Sequence, residues 1–112
     1  MMAPSLGDRV LAYWPAEAGW WYPATVIGTG EGQTLVQYDD GDRAPLTDDQ
    51  LRPLRLGTGS RVYGRWQAGQ YYYPGQITQT TGSAIHVGYD DGDEEWTTVG
   101  MVRIQQDDLP LG

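Results

Sequence analysis

The sequence YDDGD occurs at residues 38–42 and again at residues 89–93, which is 51 residues later. Other segments repeat with nearly the same offset: RVLAYW at 9–14 with RVYGRW at 61–66, WWYPATVI at 20–27 with YYYPGQIT at 71–78, and TLVQYDDGD at 34–42 with IHVGYDDGD at 85–93. A period near fifty residues that occurs twice indicates a tandem pair of small domains. We expect the domains at residues 5–55 and 56–108, connected through the proline- and glycine-containing segment PLRLGTGS.

Each copy has the pattern of a meander of short strands, so we expect an all-β fold with no helical segment. Alternating residues form one face of each strand. In strand one these are Val10, Ala12 and Trp14 with Val62, Gly64 and Trp66, and in strand two Tyr22, Ala24 and Val26 with Tyr73, Gly75 and Ile77. In strand three they are Val36 and Tyr38 with Ile85, Val87 and Tyr89. A fourth strand is predicted at 43–46 and 94–98, and a short fifth at 50–54 and 101–105. The small residues in mid-strand fit the crowded interior of a small, strongly bent barrel.

The turns and prolines add two local expectations. The pairs Asp40-Gly41 and Asp91-Gly92 predict two-residue hairpins of type I′, in which both residues have positive φ. Pro23 and Pro74 lack a backbone N–H, so we expect them where strand two begins or runs along an edge.

Composition excludes several classes of function. The chain has no cysteine and one histidine, His86, and no motif for nucleophilic catalysis, metal binding or phosphate binding, so we expect neither an enzyme nor a cofactor. A net charge of −8 opposes nucleic-acid binding and favours a cationic partner. No apolar run is long enough for a membrane span. We expect an intracellular monomer, nuclear if the source is eukaryotic and cytoplasmic if it is bacterial.

The meander brings aromatic side chains to one rim of each barrel. Strand one runs up, strand two down and strand three up, so Trp14, Tyr22 and Tyr38 lie at the same end, with Asp40 in the turn beyond. The second copy is expected to bring together Trp66, Tyr73, Tyr89 and Asp91. Aromatic rings attract cations, and methylation lowers the cost of removing an ammonium from water. A neighbouring carboxylate favours cations that retain an N–H donor.

The pattern RVxAxW…WYPATV…VxYDDGD…LR resembles the Tudor domain, within the wider group that includes Agenet, chromo-barrel and PWWP modules. The resemblance spans about residues 6–105 in two copies. It implies two tandem SH3-like five-stranded barrels that read methylated lysine or methylated arginine, often on histone tails, through aromatic cages. The implied cage residues are Trp14, Tyr22, Tyr38 and Asp40 in the first copy, and Trp66, Tyr73, Tyr89 and Asp91 in the second. Asp42 and Asp93 stand where family cages often have another aromatic residue, so both cages are expected to be open and acidic.

Two functions from different classes remain open. The first is a reader of a methylated protein tail, with Trp21 and Tyr72 as secondary candidates beside Asp42 and Asp93. The second is an interaction barrel that binds proline-rich or arginine-rich segments regardless of methylation. Peptides that differ only in methylation discriminate between these functions.

Overall fold

The computed structural model describes residues 4–109 and divides into two units at the junction between Leu54 and Arg55. The first unit contains β1 (Arg9–Tyr13), β2 (Trp20–Gly30), β3 (Gln33–Tyr38), β4 (Arg43–Leu46) and β5 (Leu51–Pro53). The second contains β6 (Arg61–Arg65), β7 (Tyr72–Thr81), β8 (Ala84–Tyr89), β9 (Glu94–Thr98) and β10 (Val102–Gln105). Single 3-10 turns occur at Asp48–Gln50, Val99–Met101 and Gln106–Asp108, whereas Trp66–Ala68 forms a turn in which Gln67 and Ala68 have positive φ. The all-β prediction is confirmed.

The two units share one topology. In the first unit the antiparallel order is β4-β3-β2-β1-β5, and in the second it is β9-β8-β7-β6-β10. The long second strand of each unit has a register shift, between Val26 and Gly28 in β2 and between Ile77 and Gln79 in β7. Such bulges increase strand twist and bend the sheet. The repeat in the sequence is therefore a repeat in the structure.

Each sheet wraps around its own core. In the first unit every strand contributes to one buried cluster: Val10, Ala12, Ala24, Val26, Val36, Tyr38, Ala44, Leu46 and Leu51. Because both end strands, β4 and β5, supply residues to this cluster, the sheet must curl strongly. The buried apolar residues of the second unit are Val62, Ile77, Ile85, Val87, Tyr89, Val102 and Ile104. Leu11 is also fully buried, although the alternation in strand one predicted only its neighbours on the other face.

The interior of the second unit is as crowded as its small residues predicted. A Cβ atom on Gly75 would lie 2.7 Å from the carbonyl oxygen of Gly88. The prolines also follow the prediction: Pro23 and Pro74 lie near the start of β2 and β7, before pairing with the next strand begins. Their carbonyls accept hydrogen bonds from the turn residues Asp39 and Asp90 at 3.1 and 3.0 Å.

The hairpin turn differs from the predicted type I′ form. The backbone N–H of Gly41 donates to the carbonyl of Tyr38 at 2.8 Å, and that of Tyr38 donates to the carbonyl of Asp42 at 2.7 Å. Only Gly41 has positive φ, at 98°, so the loop is Asp39-Asp40-Gly41 with the glycine in the left-handed position. The two-residue prediction was wrong because a type I turn followed by a left-handed glycine also suits an Asp-Gly sequence. The second YDDGD sequence has the same bonds.

No helix within residues 4–109 combines the length and apolar character that a membrane crossing requires.

Candidate functional site

In the first unit, the ring of Tyr38 contacts those of Trp14 and Tyr22 at one end of the sheet. Trp14 directly follows β1, and Tyr22 in β2 pairs with Ala12 of β1. Tyr38 is the last residue of β3. Its ring centroid is 5.1 Å from that of Trp14 and 6.3 Å from that of Tyr22, with interplanar angles of 87° and 89°. Both are edge-to-face contacts at ordinary aromatic spacing.

Tyr38 forms the buried base of this aromatic group. Its side chain is 3% exposed, and its hydroxyl donates a hydrogen bond to the carbonyl of Tyr13. Burial, and next the nearby carboxylates of Asp40 and Asp42, raise the pKa of Tyr38 above its ordinary value. The phenol therefore stays neutral at physiological pH, while the half-buried rings of Trp14 and Tyr22 remain partly accessible.

In the second unit, the predicted residues line a recess. A cavity of about 200 Å³ is bounded by Trp66, Tyr73, Tyr89, Asp91 and Asp93. The structure thus brings together the four primary candidates of this copy and one secondary candidate. Pockets for drug-sized ligands typically measure roughly 300–1,000 Å³, so this recess has the size for a single head group.

The walls of the recess differ in exposure. The rings of Trp66 and Tyr89 meet edge to face, with centroids 5.5 Å apart and an interplanar angle of 87°. Tyr89 is 6% exposed and forms the base, whereas Tyr73 is 46% exposed and faces solvent at the rim. Two carboxylates, Asp91 and Asp93, complete the lining. A cation entering here meets aromatic faces and negative charge together, which are the two elements of cation recognition.

The first aspartate of each YDDGD sequence has a structural role. Arg9 donates from Nη1 and Nη2 to the two carboxylate oxygens of Asp39, at 2.6 and 2.8 Å. Arg61 donates from Nη1 and Nη2 to the two carboxylate oxygens of Asp90 in the same way, at 2.8 and 2.7 Å. These forked pairs join the start of strand one to the hairpin turn. The Arg61 guanidinium also lowers the pKa of Asp90 below its ordinary value, through hydrogen bonding first and charge second.

The second aspartate stabilises the turn and borders the site. Asp40 Oδ1 accepts a hydrogen bond from the backbone N–H of Asp42 at 3.0 Å, and Asp91 Oδ1 accepts one from Asp93 at the same distance. Such short-range bonds are typical of aspartate in turns. One carboxylate oxygen thus holds the loop, and the side chain as a whole stays exposed.

Two secondary candidates lie elsewhere. Trp21 is 2% exposed and packs edge to face on Tyr13, with the Arg52 guanidinium 5.0 Å from its ring centroid. Tyr72 lies under the Arg103 guanidinium at 4.2 Å. Successive strand residues point to opposite faces, so Trp21 and Tyr72 are directed away from the neighbours that form the site. The structure therefore does not bring Trp21 or Tyr72 to the aromatic groups.

Glu95 is a site-related residue that the sequence reasoning missed. Its Oε2 accepts a hydrogen bond from the Tyr89 hydroxyl at 2.6 Å, and its Oε1 accepts one from the backbone N–H of Gln67 at 3.1 Å. Burial, and next this hydrogen bond to Glu95, raise the pKa of Tyr89. The sequence contained one signal for this role. When the two repeats are aligned, Glu95 stands at the position of Ala44, which is a core residue of the first unit.

No metal centre is evident in the part of the chain that the structure describes. Between residues 4 and 109, no group of three or more histidine, aspartate or glutamate side chains is arranged to hold a metal ion.

A family model and one solved structure agree with this architecture. Residues 6–54 match a family model described as the Tudor domain of the DNA repair protein Crb2. Among solved structures, the crystal structure of the Crb2 tandem tudor domains is similar over 96% of this chain and 84% of that chain, with a TM-score of 0.64 and 17% identity. The crystal structure of the ADCP1 tandem Agenet domain 3-4 is similar over 90% of this chain and 79% of that chain, with a TM-score of 0.42 and 16% identity. A search of curated proteins found no match.

Proposed function

We propose that this chain is a tandem Tudor protein-binding module that reads methylated lysine or methylated arginine in a protein tail, because its first unit matches a Tudor family model and its fold resembles that of the Crb2 tandem tudor domains. The family model covers the first unit, and the whole chain has the fold of a tandem Tudor pair. Binding through aromatic cages is the mechanism that the side chains of both units support.

The recess of the second unit is the observation that carries this proposal. Its five lining residues, three aromatic and two acidic, surround a volume of about 200 Å³. Each cation–ring contact contributes roughly 0.5–2 kcal/mol, with the larger values reached when the cation is desolvated. A methylated ammonium or guanidinium has a weaker hydration shell than its parent, so it gains more from such a recess.

The two carboxylates favour particular methylation states. An N–H on a mono- or dimethylated head group can donate to Asp91 or Asp93, whereas a trimethylammonium has no such donor. We therefore expect lower methylation states to bind more tightly than the trimethylated form. A single site of this kind is expected to bind with a dissociation constant of about 1 µM to 1 mM, because few contacts must offset the entropic cost of association.

The aromatic group of the first unit provides a second candidate site. Trp14, Tyr22 and Tyr38 meet at comparable distances, and Asp40 and Asp42 lie close enough to raise the pKa of Tyr38. Two sites on one chain increase overall affinity when a single partner presents two modified residues that reach both.

An exposed tyrosine pair favours one alternative function. Tyr71 is 65% exposed and Tyr73 is 46% exposed, and residues two apart on an extended segment point the same way. Aromatic strips of this kind bind proline-rich segments in polyproline II conformation. The alternative is therefore an interaction module that binds proline- or arginine-rich segments independently of methylation.

A titration with matched peptides separates the two functions. Backbone amide shifts are followed while unmethylated, monomethylated, dimethylated and trimethylated forms of one lysine peptide are added, with a parallel arginine series. A reader binds one methylated form at least about twofold more tightly than the unmethylated peptide, since one extra cation–ring contact contributes roughly 0.5–2 kcal/mol. Equal affinity for all forms contradicts the reader and supports the interaction module.

Single tryptophan variants assign the binding site. We expect Trp66→Ala to weaken binding in the second unit about 2- to 30-fold, which corresponds to roughly 0.5–2 kcal/mol for one lost cation–ring contact. Trp14→Ala is the matched variant of the first unit. Peptide-induced shifts that vanish in only one variant identify the unit that binds.

A further inference from the structure

The carboxylate of Glu95 connects the two aromatic walls of the second recess. One oxygen accepts the hydroxyl proton of Tyr89 at 2.6 Å, so the buried base of the recess is tied to β9. The other oxygen accepts the backbone N–H of Gln67 at 3.1 Å, one residue after Trp66. Glu95 itself is half-buried, so these bonds form with reduced competition from water.

The segment that carries Trp66 needs such an anchor. Gln67 and Ala68 have φ values of 53° and 56°, in the left-handed region that non-glycine residues rarely occupy. Two successive residues in this conformation cost free energy, and they persist only where surrounding contacts hold them. The Gln67 N–H bond to Glu95 is one such contact, and the bond from Arg65 Nε to the carbonyl of Gly69 at 2.6 Å is another.

The first unit lacks this anchor. The position of Glu95 is occupied by Ala44, and the hydroxyl of Tyr38 donates to the carbonyl of Tyr13 instead. Trp14 follows β1 without left-handed residues beside it, because Gln67 and Ala68 are the non-glycine residues with positive φ within residues 4–109. The link between a β9 carboxylate and both aromatic walls is therefore specific to the second unit.

We propose that Glu95 is a positioning residue that holds Trp66 and Tyr89 at the spacing required for binding a methylated cation in the second recess. This inference rests on the proposed function for its ligand. Glu95 does not line the recess, so it acts through the orientation of the rings and not through direct contact with the ligand.

Three variants of neighbouring acidic positions test the proposal. Glu95→Ala removes both bonds. Glu95→Gln retains an oxygen for the Gln67 N–H and an amide that can donate to the Tyr89 hydroxyl, while it removes the charge. Glu94→Ala is the control, because it removes the same charge from the adjacent exposed residue, which lies 3.5 Å from His86 Nε2. Thermal unfolding of each variant establishes that the second unit remains folded.

The first readout is peptide affinity at the second recess. We expect Glu95→Ala to weaken binding of the preferred methylated peptide about 5- to 30-fold, with Glu95→Gln within roughly threefold of the original protein and Glu94→Ala within about twofold. Equal weakening by Glu95→Ala and Glu95→Gln indicates a role of charge and overturns the positioning role. Original affinity in Glu95→Ala also overturns it.

The second readout needs no ligand. The Gln67 amide signal and the Trp66 indole signal are expected to move and broaden in Glu95→Ala, and to stay near their original positions in Glu95→Gln. If the original protein fails to discriminate methylated peptides, the proposed function fails, but this readout still decides whether Glu95 positions the two rings. Unchanged signals in Glu95→Ala overturn the proposal.

Discussion

The backbone of Gly64 lies directly against the hydroxyl of Tyr89. A Cβ atom on Gly64 would be 2.6 Å from Tyr89 Oη and 3.3 Å from both Cε1 and Cζ of its ring. The equivalent position in the first unit is Ala12, where the corresponding tyrosine hydroxyl bonds to a strand carbonyl. The absence of one methyl group thus lets the Tyr89 ring approach β6 and reach Glu95.

Replacing Gly64 with alanine is expected to displace this ring. A Cβ atom at 2.6 Å from Oη cannot be accommodated without movement, and overpacking of this kind costs about 1–3 kcal/mol in unfolding free energy. We also expect loss of the hydrogen bond between Tyr89 and Glu95 and weaker binding at the second recess. Urea unfolding followed by tryptophan fluorescence measures the first effect, and peptide titration measures the second.

Gly57→Ala is the control for this variant. Its added Cβ would meet no atom within 4 Å and its φ is not positive, so the unfolding free energy should change by less than about 0.5 kcal/mol. A Gly64→Ala protein with original stability and original affinity contradicts the close approach of Tyr89.

Neutralising the recess carboxylates should alter selectivity. Asp93→Asn removes one of the two acids that line the cavity, and we expect about two- to fivefold weaker binding of dimethylated peptide, since an exposed charge pair contributes up to roughly 1 kcal/mol. The affinity for trimethylated peptide should fall less, because a trimethylammonium group has no N–H to donate to the carboxylate. Isothermal titration calorimetry with both peptides measures the ratio. Asp107→Asn, at an exposed position that does not line the cavity, is the control.

The ion pair between Arg61 and Asp90 predicts that the stability of the second unit falls at acidic pH. The pKa of Asp90 lies below its ordinary value of 3.8, so its contribution to stability is present above that value and is lost as pH falls through the lowered pKa. Arg61→Gln should raise the pKa of Asp90 toward 3.8, as measured by carboxyl chemical shifts during acid titration. Arg9→Gln makes the same change in the first unit and should leave Asp90 unaffected. An unchanged Asp90 titration in Arg61→Gln contradicts the pairing.

The buried side chains of Tyr38 and Tyr89 predict that the unfolding free energy falls at alkaline pH. The pKa values of Tyr38 and Tyr89 are raised above 10.0, chiefly by burial. Their contribution to stability is complete below the unfolded-state pKa and is lost as pH rises toward the folded-state pKa. We expect unfolding free energy to decline above about pH 10, and to decline less steeply in Tyr38→Phe. Urea unfolding at a series of pH values checks this, and an identical slope in the variant contradicts it.

Strand positions were predictable because they depend on local pattern. The fourth strands at 43–46 and 94–98 agree with β4 and β9. The fifth strand of the first unit, predicted at 50–54, is one residue shorter at each end, and that of the second unit, predicted at 101–105, begins one residue later. The hairpin was predicted in place but not in type, since a type I turn with a left-handed Gly41 and a type I′ turn share the same residue preferences. The left-handed backbone at Gln67 and Ala68 had no sequence signal, because neither residue favours that conformation.

The aromatic residues of the candidate site were predictable from the alternating direction of the strands. The hydrogen bonds of Glu95 to Tyr89 and to the backbone of Gln67 were not. Alternating strands carry Trp66, Tyr73 and Tyr89 to one end of a meander whatever the details of packing. Glu95 lies 28 residues from Gln67 in sequence, and its two bonds depend on how β9 packs against the turn after β6. Sequence alignment of the two units could have shown that an acid replaces the inward-facing Ala44, but not what that acid contacts.

By itself, the sequence determined a tandem pair of β-meanders and the end of each at which aromatic and acidic residues gather, because strand periodicity and the repeat are local properties. Only the tertiary structure decided which aspartates form the ion pairs and that Trp21 is buried. It also decided that the Tyr89 hydroxyl lies against Gly64 and donates a hydrogen bond to Glu95. These contacts join residues that are distant along the chain. Their geometry follows from close packing of side chains from several strands, which no short segment specifies.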